Sequence, residues 1–229
     1  MKVEIWSDIT CPSCYTGKRK FEEALANFEH KDSIEIIYKS FELAPGFETN
    51  PSIKLPQFLA EMHKVSLVQA DSMIAQVEAS AKEVGLNFNL RIAIPANSIK
   101  AHLISHLAKK HNLQEQAEEK FLNAYFTKGK NIDDNDVLLE IATGIGLNKE
   151  DARATLTDNK SLNAVKSDIA EAKARKINSI PHFLFNSSTS ISGAQESKTF
   201  IDTLNKSFND WSNQKPSDAA VCEIGKPCL

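Results

Sequence analysis

The chain has 229 residues, 41% of them hydrophobic and 25% charged, with a formal net charge of −3. That is the composition of an ordinary globular protein, long enough for one large domain or for a domain with a substantial insertion. The charge balance, with no basic stripe interleaved with aromatics, argues against a nucleic-acid partner, and no apolar run approaches the ~20 residues that span a bilayer. Met1 leads straight into strand-like sequence, without a basic leader and an apolar core, so a cytoplasmic location is expected.

In chain order, Lys2-Val3-Glu4-Ile5-Trp6 alternates as a strand does, and Cys11-Pro12-Ser13-Cys14 follows it. After Cys14 the spacing of Phe21, Leu25 and Phe28 predicts a helix, and Ile34-Glu35-Ile36-Ile37-Tyr38 predicts a second strand. A C-x-x-C at a strand-to-helix junction sets its first cysteine at the N-cap, where unpaired N–H groups and the helix dipole favour a thiolate. Pro12 suits the first helical position, where its missing N–H costs nothing. An ordinary thiol is only about 3% ionised at pH 7, so this placement is what makes the pair chemical. Four cysteines in two close pairs, Cys11/Cys14 and Cys222/Cys228, are too few for a disulfide-stapled scaffold and read as redox-active or metal-binding. A zinc site joining the two pairs would span far more chain than the ~15–20 residues of a zinc ribbon, so the redox reading is preferred.

The next hundred or so residues, by the same periodicity, carry only helical patterns. Ser66 and Gln69 form a capping box before a helix bearing Ile74, Val77, Ala81 and Val84, with Gly85 placed to close it. Asn97 is expected to cap a helix with Ile99, Leu103 and Leu107. Ala117, Phe121 and Tyr125 mark another, and Val137, Leu138 and Ile141 one that stops at Gly144. His102 and His106 share a helix face but lack a third ligand, so they are read as structural. Then come a helix with Leu162, Val165, Ile169 and Ala172, a strand at Pro181-His182-Phe183-Leu184-Phe185, a turn at Asn186-Ser187-Ser188, a strand at Ser190-Ile191-Ser192, and a last helix from Glu196 to Trp211. The order is β-α-β, an all-helical insertion after the second strand, then α-β-β-α: a thioredoxin fold. The expected division is 1–50 with 159–212 for the thioredoxin-like domain, 51–158 for the insertion, and 213–229 for a cysteine-containing tail.

Several motifs then line up: Asp8-Ile9-Thr10-Cys11-Pro12-Ser13-Cys14-Tyr15-Thr16-Gly17, Phe41-Glu42-Leu43-Ala44-Pro45, Asn97-Ser98-Ile99-Lys100-Ala101-His102, Ala124-Tyr125-Phe126, Ser179-Ile180-Pro181 and Ser192-Gly193-Ala194-Gln195. In their order and spacing the sequence resembles the DsbA-like thioredoxin family, and within it the cytoplasmic FrnE-like dithiol-disulfide oxidoreductases and isomerases. The resemblance implies that Cys11 attacks and Cys14 resolves. It also implies that Pro181 is cis beside them, and that the backbone of Ile180 receives an extended substrate. Disulfide-containing proteins or small thiols are the implied partners, with glutathione as a redox partner and no metal or organic cofactor. Asp8, three residues before Cys11, is expected either to modulate proton transfer to Cys14 or simply to cap the turn. Cys222 and Cys228 are a candidate second redox pair.

Two departures stand out. Ser13 replaces the Trp or His usual at its position, which leaves the potential open across ~−270 to −120 mV. Lys176 replaces a helix-ending glycine, a role expected to pass to Asn178. Competing readings are a glutathione-dependent isomerase or transferase acting on a small molecule, whose members usually carry Ser at the Cys11 position, and a redox-regulated chaperone or binding module.

Overall fold

The computed structural model describes residues 1–214. Its sheet comprises β1 (Lys2–Ser7), β2 (Glu35–Ser40), β3 (His182–Phe185) and β4 (Thr189–Ser192), in the order β2-β1-β3-β4. β1 is parallel to β2, with Ile5 opposite Tyr38, and antiparallel to β3, with Ile5 opposite Phe183. The parallel pair needs a crossover, which α1 (Pro12–Ala26) supplies, whereas β3 and β4 form a hairpin.

Strand alternation decides which side chains meet which helix. Val3, Ile5, Phe183 and Phe185 point to one face, where they pack with Phe21 of α1 and with Phe200 and Leu204 of α9 (Ser197–Gln214). Phe21 lies 5.2 Å from Phe183 and 5.6 Å from Phe200, centroid to centroid. Trp6 and Leu184 point to the other face, against Ala172 of α8 (Asn159–Ala174). Trp6 is fully buried, and its indole N–H donates to the Asp168 carbonyl at 3.2 Å, as a buried indole requires.

Between β2 and α8 run α2 (Leu55–His63), α3 (Leu67–Glu83), α4 (Ile99–Lys110), α5 (Gln114–Phe126), α6 (Asn135–Gly144) and α7 (Lys149–Thr155). This helical insertion has its own core, which includes Ile74, Ile104, Phe121 and Leu138. Gln114 fastens it to the sheet: its side chain accepts from the Tyr38 N–H at 3.1 Å and donates to the Tyr38 carbonyl at 2.9 Å. That amide satisfies backbone groups on the open edge of β2, which would otherwise template pairing with another chain.

The local stop and start signals mostly act where the sequence placed them. The Ser66 hydroxyl accepts from the Gln69 backbone N–H at 3.2 Å, the Gln69 side-chain oxygen Oε1 accepts from the Ser66 N–H at 2.9 Å, and Gly85 closes α3 at φ +76°. α6 ends at Gly144 as expected, and Gly146, at φ +94°, makes the left-handed turn just beyond it. Three expectations need correction. Ser98 occupies the cap position of α4, and Asn97 reaches past it to accept from the Ile99 N–H at 2.9 Å. The last helix begins and ends later than expected, at Ser197 and Gln214. Lys176 itself ends α8 in the left-handed region at φ +58°, with the Ile177 N–H on the Ala172 carbonyl, so Asn178 is not the stop. A lysine there costs about 1–2 kcal/mol relative to a relaxed backbone, strain that a glycine would not carry. α2 and α7 had no sequence expectation. The first has no fully buried residue, and the second spans only 7 residues.

Candidate active site

The chain leaves β1 at Ser7 and turns on Asp8, whose carboxylate accepts from the Thr10 N–H at 2.9 Å and the Thr10 hydroxyl at 3.0 Å. This turn sets Cys11 at the N-cap of α1, in extended backbone (φ −91°, ψ 112°), with Pro12 as the first helical residue. The N-cap carries no side-chain hydrogen bond, so the first N–H groups of the helix remain directed at the Cys11 end. Cys14 follows one turn in, its N–H on the Cys11 carbonyl at 3.1 Å.

Both thiols are free and almost fully buried. They sit in an apolar wall of Trp6, Ala172, Ile177, Ile180 and Leu184, with Phe41 packed against it. Burial, the hydrogen bond to Cys11 and the Cys11 charge push the Cys14 thiol well above its ordinary pKa. The Ser7 hydroxyl and the Asp8 backbone oppose that shift by favouring the Cys14 thiolate. Opposite the dithiol, the Ile180–Pro181 bond is cis, and Cys11 Sγ lies 4.0 Å from the Ile180 carbonyl oxygen.

Cys11, Cys14, Ile180 and Pro181 are therefore together at the C-terminal end of β1 and the N-terminal end of β3. Asp8 is beside them, buried, and its second oxygen accepts from the Leu43 N–H at 2.7 Å. It caps the turn and also holds the 41–43 segment against the site. Cys222 and Cys228 lie outside the described residues. Of the two histidines, His102 donates to the Phe41 carbonyl at 3.0 Å, and His106 lies 3.0 Å from Asp168 Oδ2 and 3.1 Å from the Ser40 hydroxyl through the same ring nitrogen. Among the described residues no group of three His, Cys, Asp or Glu side chains is arranged to hold a metal ion. Nor, among those residues, is any helix long and apolar enough to cross a membrane.

Sequence reasoning passed over Gly17, the last residue of the first motif. A Cβ on Gly17 would come within 2.8 Å of Pro181 Cγ and 3.4 Å of Ala194. The glycine lets the proline loop sit directly on α1. Gly17→Ala gains about 1 kcal/mol of helix propensity and loses about 1–3 kcal/mol by overpacking. The expected outcome is a Tm lowered by a few degrees, read by calorimetry, with a Cys11 alkylation rate changed more than this small stability loss explains, because the displaced group faces the thiol. An unchanged alkylation rate would show that Pro181 is not held by this contact.

With this geometry in view, comparison with known proteins is specific. Residues 2–205 match the family of DSBA-like thioredoxin domains. The chain is 26% identical over 215 residues to the uncharacterized protein YwbO of Bacillus subtilis, covering 93% of this chain and 98% of that one. It is similar to the crystal structure of a probable DsbA oxidoreductase from Streptomyces coelicolor, with a TM-score of 0.86 and 32% identity over 100% of this chain and 99% of that one. A 2-hydroxychromene-2-carboxylate isomerase shares the fold at a TM-score of 0.66 and 13% identity, over 94% of this chain and 100% of that one. The chain belongs to the DSBA-like thioredoxin domain family of thiol-disulfide oxidoreductases.

Proposed function

We propose that the chain is a FrnE-like dithiol-disulfide oxidoreductase or isomerase acting on protein disulfides through Cys11 and Cys14. The observation that carries this reading is the seat of Cys11: the N-cap of α1, with its sulfur 4.0 Å from the Ile180 carbonyl beside Pro181. An extended substrate pairs with the backbone at Ile180, in the manner of an added strand, and presents its disulfide to Cys11. The Cys11 thiolate attacks one substrate sulfur, the substrate S–S bond breaks, and the other substrate sulfur leaves as a thiolate. Cys14 then attacks Cys11 to form the Cys11–Cys14 disulfide, and the second substrate sulfur departs with the proton that Cys14 gave up. In isomerisation the substrate thiolate freed by the first attack instead opens another disulfide of the same protein, and the thiolate so released attacks the mixed disulfide, forming the rearranged substrate bond and releasing Cys11 as a thiolate.

No metal or organic cofactor is needed for these steps, and glutathione or another small thiol recycles the dithiol in a cytoplasmic setting. The insertion roofs the site and selects the substrate: Ile9 and Tyr15, on either side of the C-P-S-C, both pack into its core. A protein with scrambled disulfides, incubated with the chain in a glutathione buffer, should regain activity faster than in the buffer alone; equal rates refute the reading. The intact dithiol favours this reading over glutathione-dependent isomerisation or transfer on a small molecule, and over a chaperone or binding module. Neither of these needs a second thiol, and either would keep its activity when Cys14 is replaced.

Cys222 and Cys228 are the proposed second pair, exchanging with Cys11/Cys14. Replacing both with serine should change steady-state turnover on a protein substrate at fixed glutathione. Unchanged turnover makes them spectators.

A further inference from the structure

The strand order β2-β1-β3 sets the dithiol between two segments. β2 is parallel to β1 and β3 antiparallel, so residues 41–43, which continue β2, and the Ile180–Pro181 peptide, which precedes β3, flank the Cys11 turn from opposite sides. The two flanks offer a substrate different things. On the β3 side the peptide at Ile180 meets the Cys11 sulfur at 4.0 Å, backbone beside which an extended chain can lie. On the β2 side the backbone is already engaged. The Phe41 N–H donates to the Ser7 carbonyl at 3.0 Å, the Phe41 carbonyl accepts from His102 Nε2 at 3.0 Å, and the Leu43 N–H donates to Asp8 Oδ2 at 2.7 Å. What this flank presents is side chain: Phe41 packs against the wall that holds both thiols, whereas Leu43 is left 52% exposed. A single exposed leucine is ordinary on a protein surface, but the attachment of this one to the dithiol turn is not. Asp8 accepts from Leu43 with its carboxylate and from the Cys11 N–H with its carbonyl, at 3.1 Å, so Leu43 is fixed in place together with Cys11.

We propose that Leu43 is a specificity-determining residue for the first attack: it covers a large apolar side chain next to the substrate cysteine, so the favoured substrate is a non-native polypeptide disulfide and not a small, polar one. The proposal rests on the dithiol reading above and names the substrate class of that site. Cysteine is among the most buried residue types, and the segments that carry it inward carry apolar side chains with it. A disulfide displayed to solvent with apolar residues beside it therefore marks a chain that has not reached native packing. In the step concerned the Cys11 thiolate attacks the substrate sulfur, the Cys11–substrate S–S bond forms as the substrate S–S bond breaks, and the other sulfur leaves as a thiolate with the electron pair. Contact at Leu43 favours this encounter without changing the chemistry of either sulfur.

The test uses the full chain with Cys222 and Cys228 replaced by serine, reduced and mixed in a stopped-flow instrument with either of two peptides. One carries leucine on both sides of a single cysteine and the other serine, and each cysteine is capped with thionitrobenzoate. Attack of Cys11 on the peptide sulfur releases the coloured thionitrobenzoate thiolate, and the ratio of the two second-order rate constants separates selection from any general change in Cys11 reactivity. The parent should react about fivefold faster with the leucine peptide, the return on burying the exposed half of a leucine. Leu43→Ser should bring the ratio to about one, and Leu43→Met, which keeps an apolar side chain of similar volume, should hold it near five. A ratio near one in the parent, or a ratio near five retained in Leu43→Ser, overturns the proposal. A Cys11→Ser chain that releases the coloured thiolate as fast as the parent refutes the dithiol reading itself.

Discussion

Replacing Cys11 with serine is expected to reduce disulfide exchange to the uncatalysed background, whereas Cys14→Ser should keep the first attack and accumulate mixed disulfides with substrate. The two thiols are alike in burial but not in position. Cys11 ends an extended segment at the helix N-terminus, where N–H groups without side-chain partners stabilise negative charge, and its sulfur lies near the peptide edge at Ile180. Cys14 lies one turn inside, and burial together with its hydrogen bond to Cys11 holds it protonated. A protonated thiol is a poor nucleophile, so Cys14 acts only once a mixed disulfide has formed on its neighbour. Non-reducing gels and intact mass after mixing with a disulfide-bonded protein read both variants. Mixed disulfides in Cys11→Ser, or a Cys14→Ser chain as inert as Cys11→Ser, would reverse or abolish the assigned roles.

The parts of this site legible in the sequence are those written locally. The alternation Val3, Ile5 against Glu4, Trp6 marks a strand, Pro12 marks a first helical turn, and Cys11 lands at the cap because the two adjoin. Pro181 was placed by motif order, since nothing in its immediate neighbours says that it faces Gly17. What the sequence withheld are contacts between segments far apart in the chain. His102 and Phe41 are 61 positions apart, and Gln114 and Tyr38 are 76 apart. Each histidine and glutamine is locally an ordinary helix residue, and only the closed fold brings it to a backbone carbonyl. Lys176 shows a related limit. Its left-handed backbone is imposed by the turn from α8 toward Pro181, and tertiary packing outweighs the residue's own preference by more than the ~1–2 kcal/mol that preference is worth. α2 has only 9 residues, Leu55–His63, so its apolar face repeats over little more than two turns, too few for periodicity to mark a helix, and it buries no residue fully.

The stability of the insertion should depend on pH through Glu118, and Glu118→Gln should remove the alkaline part of that dependence. Glu118 lies on α5, one turn beyond the Gln114 that closes the edge of β2, and its carboxyl accepts from the Ser105 hydroxyl at 2.6 Å. Burial pushes its pKa from an ordinary 4.5 up to about 7, against the pull of the Ser105 bond and of the Lys18 and His106 charges. Because the folded value lies above the unfolded one, the stabilising contribution is complete below pH 4.5 and is lost as pH rises through about 7. That interval corresponds to about 3 kcal/mol at most, and about 2 kcal/mol is a sound expectation once relaxation around the buried charge is allowed for. Glutamine keeps the oxygen that Ser105 needs and cannot ionise. In urea titrations the variant should match the parent near pH 5 and exceed it by about 2 kcal/mol near pH 8. Glu119, one residue on, sets the opposite arm. Arg19, Tyr15 and Lys18 bind its carboxylate and, despite partial burial, draw its pKa down to about 2. Its contribution is therefore present above pH 4.5 and lost as pH falls toward 2, identically in the parent and in Glu118→Gln. Parallel stability curves for the two proteins between pH 5 and pH 8 would mean that Glu118 is ionised in the fold at no cost. Its bond to Ser105 and the nearby Lys18 charge would then outweigh burial.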